Sequence, residues 1–213
     1  MMKDSNKPYT EVFKKIPEEK REKIFFAAVE EFASQGFEKA RISDIAARAG
    51  ISHGSVYTYF KTKDDILRYI IGRIAEVQDT GFSNEGESSV MAAIRSVVEK
   101  SFIIAEKYPS LMAVWLSLSF SYNRKFAEII SGLEAEGIAS WQNMLREGIK
   151  NGDLPPDTDI SAAAYILDST TANILRGYIS EHEEKKLHNH FGSPADKGEM
   201  VERILDTVKK MLY

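Results

Sequence analysis

Between Arg41 and Phe60 the chain has room for two helices of about two turns each, joined through the tetrapeptide Ala49-Gly50-Ile51-Ser52. Ile42, Ile45, Ala46 and Ala49 recur on one face of the first helix. Gly50 ends it, and Ser52 is a natural N-cap for the second, in which Val56 and Phe60 lie four apart and point inward. Two short helices on so tight a joint have the dimensions of a helix-turn-helix, whose second helix lies in the major groove of DNA. That groove, about 12 Å wide, admits one helix. The outward positions of the second helix are His53, Gly54, Ser55, Tyr57, Thr58 and Tyr59, a set of donors, acceptors and phenol hydroxyls with no aliphatic cluster. A helix that only packs has little reason to turn two tyrosines to water. The competing reading is that Tyr57 and Tyr59 cap the edge of a small core.

The flanks complete a small helical module. Pro17 starts a helix with Glu18 and Glu19 in its dipole-favoured first turn, and Ile24, Phe25, Ala28, Val29 and Phe32 share a face up to a left-handed stop at Gly36-Phe37. Thr62 with Asp65 three residues on gives a capping-box start to a long helix carrying Ile66, Leu67, Ile70, Ile71, Ile74 and Val77. No strand pattern interrupts this run. Residues 1–63 hold 12 Lys and Arg against 9 Asp and Glu, whereas residues 64–213 hold 16 against 23, so a basic end is joined to an acidic remainder.

The run Ser43-Asp44-Ile45-Ala46-Ala47-Arg48-Ala49-Gly50-Ile51-Ser52-His53-Gly54-Ser55-Val56-Tyr57-Thr58-Tyr59-Phe60-Lys61-Thr62-Lys63-Asp64-Asp65-Ile66-Leu67, preceded by Ala33-Ser34-Gln35-Gly36-Phe37, resembles the DNA-binding domain of TetR-family transcriptional regulators. The resemblance covers about residues 17–75. It implies that Ser52, His53, Gly54, Ser55, Tyr57, Thr58 and Tyr59 meet bases and phosphates of an operator duplex, and that Lys63 matches a phosphate-binding lysine. The residue before Ile42, commonly a small hydroxyl cap in the family, is here Arg41. Ser43 is then expected to replace the cap and is counted with the DNA-contacting residues, and Arg41 is either a phosphate contact or a solvated charge. The fold class implied is all-α: an N-terminal arm (1–16), a three-helix helix-turn-helix DNA-binding domain (17–63), and a connecting helix with a C-terminal effector-binding and dimerisation domain (64–213). The arm, with Lys3, Lys7, Lys14 and Lys15, is expected to be a frayed, solvated tail, the alternative being an arm that enters an adjacent groove of the DNA.

Beyond a Gly- and Ser-rich boundary at 78–89, helical patterns cover about 88–107, 109–122, 124–151, 159–181 and 197–212. Small residues on the 159–181 helix and an apolar stripe on the last one fit the family's pairing of these two helices with those of a second copy, giving a homodimer for a palindromic operator. Phe102, Met112, Trp115, Phe120, Trp141, Met144 and Tyr165, together with Asp168, Asn173 and Arg176, are candidates for a pocket holding a small apolar or aromatic effector, although most of the aromatics serve equally as core. The segment 181–190, with three of the four histidines, reads as a solvated loop whose spacing matches no standard metal site.

Absence of cysteine removes disulfides, thiol nucleophiles and zinc fingers, and fits a reducing cytoplasm. Nothing resembles a membrane span or a signal peptide. No metal or cofactor is expected. The reading is a ligand-responsive, DNA-binding transcriptional regulator, expected to be a repressor and not an enzyme. The alternatives are an all-α enzyme or a protein-interaction module with an incidental helix-turn-helix. No Ser-His-Asp elbow, Gly-rich phosphate loop or H-E-x-x-H motif favours the former, and the polar face of 53–59 does not favour the latter.

Overall fold

Pro17 and Gly36 bracket the first long helix as their backbone chemistry requires. Pro17 is the N-cap, and Gly36 turns left-handed at φ +70°, a conformation open to glycine at little cost, before one further turn ends at Lys39. The structure, a computed structural model, describes residues 7–82, 87–119, 124–192 and 196–213, and its described regular elements are all α-helices. In chain order they are α1 (Glu11–Lys15), α2 (Glu18–Lys39), α3 (Ile42–Ala49), α4 (His53–Tyr59), α5 (Lys63–Phe82), α6 (Val90–Lys107), α7 (Pro109–Ser119), α8 (Arg124–Lys150), α9 (Ile160–Arg176), α10 (Glu181–Phe191) and α11 (Lys197–Leu212). The all-α architecture expected from the sequence is the one observed.

Two hydrophobic cores organise them. The first gathers α1 to α4, the Ile66-to-Ile74 face of α5, Leu111, Val114 and Leu118 of α7, and Phe126 and Ile130 of α8. The second is built from α6, the later turns of α8, and α9 to α11, with Trp141 at its centre. The helix-turn-helix module is therefore seated on α7 and α8, where Phe37 meets Phe126 with ring centroids 4.7 Å apart.

Helix α1 corrects the expectation of a frayed arm. Phe13 is only 1% exposed and packs against the rings of Tyr59, Phe60 and Tyr69 at 4.8–5.7 Å. Thr10 donates its N–H to the Tyr59 carbonyl at 2.9 Å and its hydroxyl to the Thr58 carbonyl at 2.7 Å. The sequence signal was a single Phe in a polar segment, too short for periodicity to reveal.

The second correction concerns 181–190, which is helix α10 rather than a loop. Ser180 caps it, the Glu181–Lys185 pair lies on its exposed side, and Leu187 anchors it by packing on Gly177. A Cβ at Gly177 would stand 2.7 Å from Leu187 Cδ2, so α9 yields to α10 at the one residue without a side chain. That break at Arg176 shortens the helix expected over 159–181.

Replacing Phe13 by Ala is expected to cost roughly 3 kcal/mol or more of stability, because it empties a fully enclosed aromatic site. Urea unfolding of the full chain checks this, and a change below 1 kcal/mol would return residues 9–16 to the status of a tail.

Candidate nucleic-acid interface and effector cavity

The joint between α3 and α4 depends on Gly50, left-handed at φ +66°, after which the Ile51 N–H reaches back to the Ala46 carbonyl at 3.0 Å. Ser52 then caps α4 as expected, its Oγ accepting the Ser55 N–H at 3.1 Å, and the two serine hydroxyls lie 2.8 Å apart. Val56 is sealed in the core, which fixes the rotation of α4. His53, Gly54, Tyr57 and Thr58 are consequently exposed and Ser55 is half-buried. The His53 and Tyr57 rings meet edge to face at 5.2 Å, and Thr58 Oγ1 donates to the Gly54 carbonyl at 3.2 Å. A Cβ added at Gly54 would meet nothing nearer than Ser52 Oγ at 4.0 Å, so the space beside it is open.

Tyr59 does not belong to this outward face. It is 6% exposed, covered by Phe13, with Lys20 Nζ 5.8 Å from its ring. Of the two tyrosines, Tyr59 is the core-edge residue and Tyr57, 48% exposed, the outward one.

Arg41 occupies the N-cap of α3 without a side-chain cap, and Ser43 does not supply one, since its hydroxyl bonds Asp44 instead. The substitute comes from α2. Glu31 is 2% exposed, its Oε1 accepts the Arg41 N–H at 3.2 Å, and its Oε2 lies 3.5 Å from Arg48 Nε. A carboxylate is thus placed at the positive end of α3 by tertiary packing, which no local pattern reveals. The Arg41 and Arg48 side chains remain exposed.

Lys63 has protein partners. Its Nζ donates to the carbonyls of Glu38 at 3.1 Å and Ala40 at 3.2 Å and lies 4.6 Å from the Phe37 ring, holding the first turn of α5 to the end of α2. The capping box behind it is present, with Thr62 N–H on Asp65 Oδ2 and Asp65 N–H on Thr62 Oγ1, both 3.1 Å. Farther along α5, Arg73 Nη1 donates to Glu22 Oε1 at 2.6 Å and its guanidinium lies over Phe25. Both ends of this contact tie α5 to α2.

Below the module lies a two-lobed cavity. The inner lobe, about 70 Å³, is walled by α5, α6, α7 and α9, with Ile74, Val97, Met112, Trp115 and Asp168 among its lining. The outer lobe, about 320 Å³, shares Met112, Trp115, Ala172 and Leu175 and adds Ser119, Glu134 and Arg176. Of the candidate pocket residues, Met112 and Trp115 border both lobes, Asp168 the inner one and Arg176 the outer one. Phe102, Trp141 and Met144 are not; they fill the second core. Tyr165 is 74% exposed on the outer face of α9, and Asn173 lines a separate groove between α9, α10 and α11. Phe120 lies outside the described residues. The lining contributed by α5 and α6 was missed, because apolar residues at helical spacing look the same whether they border a cavity or a core.

Asp168 is half-buried, and burial, reinforced by the nearby Glu134 charge, raises its carboxyl above the usual aspartate range. Among the described residues no group of three His, Cys, Asp or Glu side chains is placed to hold a metal, and no described helix is long and apolar enough to cross a membrane.

Residues 24–70 match the sequence model described as bacterial regulatory proteins, tetR family. This segment is a TetR-family DNA-binding module. The chain is similar to the fatty acid metabolism regulator protein of Bacillus subtilis, 25% identical over 172 residues that span 77% of this chain and 86% of that one. It is likewise similar to the transcriptional repressor KstR2 of Mycolicibacterium smegmatis, 25% identical over 76% of this chain and 80% of that one. Among solved structures, a TetR-family regulator from Chloroflexus aurantiacus superposes with a TM-score of 0.68 at 25% identity, over 95% of this chain and 97% of that one. The regulator FadR of Bacillus subtilis, solved in complex with stearoyl-CoA, does so with 0.66 at 22% identity, over 90% and 99%, and shares the fold. The chain is a DNA-binding transcriptional regulator.

The raised Asp168 carboxyl makes a prediction with a definite sign. Its folded form resists ionisation, so stability is highest below the ordinary aspartate range near 3.8 and declines as pH rises through the elevated folded value. Asp168→Asn should therefore raise Tm at pH 7 and lose that advantage below about pH 4. Calorimetric scans across pH check it, and an advantage independent of pH would separate the effect from ionisation.

Proposed function

We propose that the chain is a repressor that binds a two-fold symmetric operator as a homodimer in the cytoplasm and leaves it when a small apolar or aromatic effector enters the cavity beside α5. The observation that carries the reading is the double duty of α5. Its first turn is fastened to α2 by Lys63, and Ile74, about 16 Å along the same rod, walls the cavity. A ligand that prefers one tilt of α5 biases the position of the whole module, since Arg73 and Lys63 carry α2 with it. Two modules on a dimer then gain or lose the spacing of successive major grooves.

DNA contact is assigned to the exposed face of α4 and its surroundings. His53 and Ser55 reach base edges, Tyr57 and Ser52 donate to phosphate, Thr58 does so once its hydroxyl turns away from the Gly54 carbonyl, and Gly54 allows close approach. Arg41 supplies a flanking phosphate contact. Dimerisation is assigned to α9 and α11, whose outer faces carry Tyr165, Ile166, Thr170 and Met211, all at least partly exposed. For the effector, the competing class is a fatty acyl thioester, the ligand held by the FadR structure of the same fold.

Selection of the purified protein on a random duplex library tests the reading, with a palindrome of regularly spaced half-sites as the expected outcome. On that duplex, His53→Ala should cost about 1–3 kcal/mol and relax preference at one base pair. Tyr57→Ala should weaken all sequences alike. Lys63→Ala should lower the salt slope by about 1 if Lys63 turns to phosphate in the complex. An unchanged slope with reduced Tm would leave Lys63 as a fastener of α5 to α2. Enrichment of no sequence, with or without candidate ligands, would sink the operator assignment.

A further inference from the structure

The charges in the cavity narrow the chemistry of its occupant, an inference that rests on the effector reading above. Asp168 enters a lobe otherwise lined by Ile74, Val97, Ile104, Met112 and Trp115. No described donor or cation stands within hydrogen-bonding or ion-pairing reach of its carboxylate. The hydroxyls in that lobe are committed elsewhere. Ser101 Oγ donates to the Val97 carbonyl at 2.8 Å, and Thr171 Oγ1 to the carbonyls of Leu167 and Asp168 at 3.2 and 3.0 Å. In the adjoining lobe Ser119 Oγ bonds Glu134 Oε1 at 3.0 Å. Glu134 therefore adds a second negative charge rather than a counter-ion. Arg176, the cation of the outer lobe, is not paired with either carboxylate, and its Nε, like Trp115 Nε1, is buried without a hydrogen-bond partner. An unpaired carboxylate in apolar surroundings costs free energy until an opposite charge arrives.

We infer that the effector of this cavity is an amine carrying an apolar or aromatic body, its ammonium held by Asp168 with Glu134 beside it and its body lying along Trp115, Met112 and Leu175. The outer lobe, about 320 Å³, has the size of a small ligand. Two carboxylates against the one guanidinium of Arg176 leave the joined lobes with an excess of negative charge that favours a cation, and the Trp115 ring adds a cation–π surface in the same lobe. The unpartnered N–H groups of Arg176 and Trp115 serve an acceptor on the ligand body, while the carboxylate excess disfavours a polyanionic head group such as the phosphates of an acyl-CoA. Burial and the Glu134 charge raise the Asp168 carboxyl, and an ammonium beside it acts in the opposite sense, favouring the ionised form.

Three molecules with one skeleton separate charge from shape: 4-phenylbutylamine, 4-phenylbutanol and 4-phenylbutyrate, titrated calorimetrically into the full chain, with stearoyl-CoA as a fourth probe. The expected order is amine, then alcohol, then acid, with the amine ahead by about tenfold or more. Asp168→Asn, which keeps the side-chain size, should abolish that lead while moving the alcohol less than about twofold, and Glu134→Gln should reduce it partly. A higher affinity for the acid or for stearoyl-CoA, an amine affinity indifferent to Asp168→Asn, or binding of none of the four overturns the inference. Release of DNA from the selected operator is read separately. Stearoyl-CoA releasing the operator while the amine does not bind keeps the effector reading and removes this one. The amine bound through Asp168 with operator affinity unmoved keeps the charge assignment and removes the coupling.

Discussion

Helix α5 is committed along its length to two different neighbourhoods, and much of the architecture follows from its being a stiff rod. Ile66, Leu67, Ile70 and Ile71 are sealed into the core of the DNA-binding module, and Ile74 and Val77 border the cavity. Its backbone hydrogen bonds make bending costly, so a push at one end appears as displacement at the other. The fastening by Lys63 and by Arg73 to Glu22 means that α2 moves with it. Close-packed interiors switch between discrete arrangements rather than deform continuously, which is what a regulator of this construction requires.

What the sequence revealed divides along the line between local and tertiary causes. Ser52, Gly50, Gly36 and the Thr62–Asp65 box act within one turn of the backbone, and each is found in the role its chemistry implies. Apolar spacing placed α6, α8 and α11 within two residues of their bounds, whereas it ran α9 five residues too far and left α10 as a loop, because the break at Gly177 is set by packing on Leu187. Tyr59 and Phe13 were misread together, since whether a tyrosine at the end of α4 faces outward is decided by a segment more than forty residues earlier. Glu31 is the same lesson in charge. Its carboxylate serves α3 across the interhelical space, while the position that local pattern singled out, Ser43, bonds its own neighbour.

The candidate pocket was half legible for a related reason. Trp115, Asp168 and Arg176 stand out because a large aromatic and two charges sit on helices otherwise apolar or small, and burial of such groups needs a cause. Trp141 and Phe102 carry the same residue-type signal and are ordinary core. Distinguishing them requires knowing where four helices fail to close on each other. That failure is set by helix crossing in three dimensions, beyond the reach of one helix's periodicity.

On the proposed DNA-contacting face, Gly54 sets helix stability against close approach. Glycine weakens a helix by roughly 0.5–1 kcal/mol relative to alanine, and α4 has only seven residues over which to absorb it. Nothing in the folded chain crowds that position, so the protein's own packing gives no reason for the missing side chain. A search that optimised this chain for thermal resistance alone would replace Gly54 early, and would do so by thickening the one flank of α4 that is bare. The most stable version of this fold and the version that fits closest to a neighbouring molecule are, at this residue, different sequences.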